Sequence, residues 1–119
     1  MIDGMREWLM NSLIDGHVGI IAWWDSPQDK SMHIQDFYHA GTLHYYPIFS
    51  SDAIAREQTK GTPYESKLVS IKGSLLFSML RGDELLILDP KDGLNRQFKA
   101  FEFKALMAQR QESRTSQSS

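Results

Sequence analysis

The run ELLIL at residues 84–88 constrains this protein more than any other segment. Its apolar stretch is continuous rather than alternating, so a strand made from it must be covered on both faces, near the centre of a sheet. Turn chemistry brackets it, with Arg81-Gly82-Asp83 before and DPKDG at 89–93 after. Such a strand demands helices to cover it, and the rest of the sequence supplies them.

Met5, Trp8, Leu9, Ser12 and Leu13 recur at helical spacing, which predicts a helix over 3–14 with Asp3 as N-cap, Gly16 as C-cap and this stripe against a sheet. HVGIIAWW at 17–24 reads as a strand that ends in the DSPQDK turn. Residues 32–39 alternate loosely, with a break at Asp36-Phe37 that implies a bulge or an early end. A third strand over 42–49 completes an expected antiparallel meander. Ser50 or Ser51 caps a helix running to about Thr59, with Ala53, Ile54 and Gln58 toward the sheet and Gly61 and Pro63 ending it. KLVSI at 67–71 is a further strand, and Gly73-Ser74 opens a helix carrying Leu75, Leu76, Met79 and Leu80. Residues 97–103 admit either a final strand or the start of a C-terminal helix.

The fold expected is therefore α+β: a mainly antiparallel or mixed sheet of about five strands, with three or four short helices layered on at least one face. Residues 1–111 form a single domain, and the polar segment 112–119 a disordered tail. At 119 residues the protein buries enough surface to fold without a metal or disulfide, and it has no cysteine to make one. Thirteen basic against fifteen acidic residues give a net charge of -2, which offers no basic field for a phosphate backbone, so nucleic acid is not an expected partner. No apolar run approaches the roughly 20 residues of a membrane span, and the N-terminus lacks a secretory signal pattern. A cytoplasmic protein without cofactor is expected.

Few residues invite chemistry. His17, His33, His39 and His44 form no HxxxH, HxH or HExxH pattern; His39 and His44 alone meet across a Gly-containing turn, where they are the candidate acid–base groups if the domain works as a small enzyme or ligand binder. Ser50 and Ser51 lack the small flanks of a nucleophile elbow, so capping explains them better. Asp83, Glu84, Asp89 and Asp92 sit at turns, where a carboxylate bonds the local backbone. The adjacent pairs Trp23-Trp24 and Tyr45-Tyr46 differ from these. Successive strand residues point to opposite faces, so one ring of each pair leaves the face its neighbour serves. With His39 and His44, these four aromatics are the candidate partner-contact residues, since tryptophan and tyrosine anchor interfaces.

Three segments taken in order, TLHYYPIFSSDAIAREQ, KLVSIKGSLLFSML and GDELLILDPKDGLNRQF, resemble the N-terminal domain of the SseB family of serine-sensitivity-enhancing bacterial proteins. Pro47, Ile48, Phe49, Ser50, Ser51 and Ala53 match its strand-to-helix corner, residues 75–80 its second helix, and Asp89-Pro90 its later turn. The resemblance covers residues 5–107 and implies a noncatalytic, protein-binding domain of bacterial cytoplasm, with no catalytic residues to transfer. A stand-alone domain of this kind is expected to act as an adaptor, or as an immunity protein neutralising a cognate toxin or secretion-system component. Whether it works as a monomer or a homodimer is left open by the sequence.

Overall fold

The computed structural model describes the protein apart from residues 1, 27, 29–30, 93–95 and 119; part of the DSPQDK turn and Gly93 thus lie outside the described residues. The elements are α1 (Ile2–Asp15), β1 (His17–Trp23), β2 (His33–Ile34), β3 (Phe37–His39), β4 (Leu43–Ile48), α2 (Asp52–Thr59), β5 (Leu68–Lys72), α3 (Gly73–Met79), β6 (Leu85–Leu88), β7 (Gln97–Lys99) and α4 (Ala100–Ser118). Short 3-10 turns at Pro63–Lys67 and Pro90–Asp92 precede β5 and follow β6. The class is α+β, as the residue pattern implies.

The expected meander is replaced by two small sheets, ordered β2-β1-β5 and β3-β4-β6-β7. The break at residues 35–36 is the cause: β2 pairs with β1, whereas β3 has crossed over to pair with β4. The sheets are joined where Gly19 and Phe49 exchange both backbone hydrogen bonds, at 2.8 and 2.9 Å. A Cβ on residue 19 would lie 3.3 Å from that of Phe49, so glycine suits this junction. Pairing is antiparallel except between β4 and β6, which run parallel with Ile48 opposite Leu88. As its continuous apolar run requires, β6 lies inside its sheet, and Leu86, Ile87 and Leu88 are buried. The segment 97–103 satisfies both readings, since β7 turns directly into α4. The α4 backbone stays helical to Ser118, through the polar stretch expected as a tail.

The main core lies between the sheets and α1, α3 and α4. Its composition corrects two helix faces. On α1, Met5 and Trp8 are 77% and 71% exposed and Ser12 also faces out, while Met10, Leu13 and Ile14 are buried. Apolar residues surround much of that helix, so spacing admits two overlapping stripes; packing on distant segments selects one, and Arg6 is consistent with it, reaching the Glu102 carboxylate at 3.0 Å and the Gln97 carbonyl at 2.9 Å. On α3, Leu75 and Met79 remain exposed, and the inward ring is Phe77, stacked on Phe103 with centroids 3.8 Å apart. Gly73 lets α3 start against α1: its N–H donates to the Gly16 carbonyl at 2.9 Å. Lys104 closes the other end of α3, donating to the carbonyls of Phe77, Ser78 and Leu80.

Glu84 holds the turn from α3 into β6 by accepting the N–H groups of Arg81 and Gly82, each at 2.8 Å. Burial pushes its carboxyl up, but those backbone donors and the Arg81 charge outweigh it and hold the group below the ordinary carboxylate value. Its stabilising effect is therefore full above that ordinary value and fades as pH falls through the lowered one. Glu84→Gln should cost about 1 kcal/mol in urea melts near neutral pH. The gap between variant and wild type should close in acid; an equal gap at both pH values would contradict the assignment.

Candidate functional site

β4 divides the molecule into two faces. Its residues Tyr46 and Ile48 face the main core, while Tyr45, Pro47 and the following Phe49 face the opposite way. On that second side lies a smaller cluster of Ile21, Phe49 and Ala55, against which Phe37, Tyr64 and Leu68 pack. Above it a half-open cleft of about 310 Å³ runs between β3/β4 and the end of α2 with the turn after it.

Several segments build this cleft. The β3 residues Phe37 and His39 form one wall, because the register sets Phe37 opposite Tyr45 and His39 opposite Leu43. Phe37 meets Tyr64 edge-on at 4.9 Å and lies near-parallel to Tyr45 at 6.1 Å. The far wall is Gln58, Thr59 and Thr62; the 3-10 turn after β6 closes one end with Pro90 and Lys91. Thr62 caps its own turn, accepting from Tyr64 N–H and donating to the Thr59 carbonyl. Burial raises the Tyr45 phenol above its ordinary value, so it stays protonated at neutral pH and is an O–H donor.

α2 is positioned over the cleft by two serines with different duties. Ser51 is the N-cap, its Oγ accepting the Ile54 N–H at 3.2 Å. Ser50 instead bonds the buried Asp89 carboxylate, donating its N–H at 3.0 Å and its hydroxyl at 2.8 Å. Asp89 thus fastens the end of β6 to the end of β4, not the local turn expected of it. α2 then turns Ala55, Gln58 and Thr59 inward and leaves Ala53 exposed.

Of the candidate residues, Tyr45 and His39 line the cleft. His44 and Tyr46 lie on the other face of β4, so the two histidines across the turn do not converge. His44 Nε2 sits 2.5 Å from Asp36 Oδ2, between the rings of Tyr38 and Tyr46. The phenol of Tyr46 is raised by burial and by the nearby charges of Asp36 and Glu84. Trp23 stacks on His33 at 5.4 Å, with the Lys67 ammonium 5.6 Å from its ring, and Trp24 stands exposed beyond β1. The tryptophans therefore do not join the cleft lining.

Sequence reasoning missed Phe37, Gln58, Tyr64 and Lys91 as site residues. Tyr64 follows the Gly61 and Pro63 turn signal, which marks a turn without showing what it faces; helical spacing turns Gln58 inward without showing a cleft there, and Phe37 and Lys91 carry no local signal of a site. Among the described residues, no three His, Asp or Glu side chains gather as a metal site, and no helix is long and apolar enough to cross a membrane. No family model, curated protein or solved structure matches this sequence.

Proposed function

We propose that the protein is a noncatalytic protein-binding domain of bacterial cytoplasm, of the SseB N-terminal kind, acting as an adaptor or as an immunity protein that covers a cognate toxin or secreted effector. The observation that carries this reading is the open cleft walled by Phe37, Tyr45 and Tyr64. Aromatic side chains held by packing supply large contact area at little entropic cost, the usual anchor of a protein interface. A second reading, a small-ligand domain with an acid–base histidine, draws on the same cleft through His39 and loses His44.

The test is binding by purified products of the adjacent genes, measured by titration calorimetry. Tyr64→Ala should weaken a cognate complex by about 2 kcal/mol, roughly thirtyfold, as a central aromatic anchor does. Tyr38→Ala, on the opposite face of the sheet, should leave it unchanged. Equal effects from the two variants, or no complex with any neighbour, would count against the proposal.

A further inference from the structure

Resting on that reading, we infer that the cleft captures the C-terminal residue of a partner protein, taking its apolar side chain against the aromatic walls and its carboxylate against Gln58, Lys91 and Tyr45.

The inventory of donors and acceptors leads there. Gln58 is 8% exposed and lines the cleft. Its Oε1 accepts the Lys91 N–H at 3.1 Å, which fixes the carboxamide and leaves the N–H2 end without a hydrogen-bond partner among the described residues. Among the described residues no buried side-chain nitrogen or oxygen lacks a partner, so this N–H2 end is open to solvent and stands as an available donor at the cleft. Lys91 carries an ammonium with no ion pair among the described residues, and the protonated Tyr45 phenol adds a third donor. Among the described residues no carboxylate lines the cleft, whereas the face around His44 is bordered by Asp83 and Glu84.

The occupant is therefore apolar over most of its surface and carries a hydrogen-bond-accepting anion. A volume of about 310 Å³ lies at the small end of ligand sites, enough for one residue. An apolar side chain and a carboxylate on one residue fit that space, and the C-terminus of a polypeptide supplies both. The open side of the cleft gives the preceding residues an exit. Backbone and side-chain donors that seize a terminal carboxylate are a recurrent mode of peptide recognition.

The test uses 15N-labelled protein and three probes: acetyl-Gly-Gly-Ala-Phe with a free C-terminus, the same peptide as its C-terminal amide, and N-acetylphenylalanine. The free-acid peptide should bind at least about tenfold tighter than the amide, because charge-assisted hydrogen bonds are roughly twice as strong as neutral ones. It should also shift the side-chain amide signals of Gln58. Lys91→Gln should bring the acid-to-amide ratio toward one without altering the melting temperature, and Gln58→Leu should also bring it toward one but at a lowered melting temperature, because the Lys91 N–H loses its acceptor. Equal binding of acid and amide in the cleft overturns the carboxylate claim yet leaves the protein-binding reading intact. N-acetylphenylalanine binding as well as the peptide overturns a partner protein as the source in favour of a small aromatic acid. Binding of none of the three overturns the inference, while a complex with a neighbouring gene product would still uphold the broader reading.

Discussion

Gly73→Ala is expected to cost on the order of 4 kcal/mol, the range reserved for substitutions that break a named constraint. A Cβ at this position would lie 1.8 Å from the Leu13 carbonyl oxygen and 2.7 Å from its carbon, far inside any permitted contact. The obstacle is backbone, so no rotamer relieves it. Either the start of α3 lifts from the end of α1, breaking the Gly73–Gly16 hydrogen bond, or both helices shift across the core that holds Leu13, Leu76 and Phe77. Against a typical stability of about 5–15 kcal/mol, such a loss leaves a domain that is marginal or unfolded at about 37 °C. Urea denaturation reads the result as a lower midpoint at unchanged slope. Gly4→Ala is the control: nothing lies within 4 Å of its built Cβ, and alanine favours the α1 helix by up to about 1 kcal/mol. If Gly73→Ala melted with wild type, the close approach of α1 and α3 would be wrong.

Asp89→Ala should be the second most damaging change, at about 3 kcal/mol, since it removes a charged acceptor and strands the donors that met it. Asp89 is 1% exposed, it receives both the N–H and the hydroxyl of Ser50, and it adopts φ 47. Alanine fails on each count, because it accepts nothing and disfavours left-handed backbone. Asparagine tolerates that backbone and keeps one acceptor, so Asp89→Asn should cost about 1 kcal/mol. Comparable losses for the two variants would show that the Ser50–Asp89 pair does not hold the strand ends together.

These two positions also mark what could be read from the residues. Strand and helix limits were legible wherever Gly, Pro or a capping hydroxyl punctuates the sequence, as at Gly16, Ser51, Gly61 and Gly73. The centrality of β6 followed from ELLIL because an unbroken apolar run has only one satisfactory place. Helix faces were less legible. In α1, Leu9 and Leu13 belong equally to a stripe with Met5 and Trp8 and to one with Met10 and Ile14, and the choice is made by packing on distant segments, with the Arg6–Glu102 pairing consistent with it. The bifurcation at residues 35–36 was visible as an interruption, placed one residue later at Asp36-Phe37, but not that it moves the backbone from one sheet to another. The cleft was least legible. Its walls come from segments far apart in sequence, brought together by the parallel β4–β6 pairing and by Asp89, neither of which has a local pattern.

The placement of α1 and α4 has a consequence for presentation. Arg6 with Glu102, and Arg110 with Asp15 and Asn11, bind the two terminal helices to each other behind the main core, on the side of β4 away from Tyr45 and Tyr64. A tag, surface or fused domain attached through either helix therefore hangs from the rear of the molecule. Immobilised by such a handle, the protein offers its aromatic cleft outward, and arrays of several copies on one support would present their clefts in parallel.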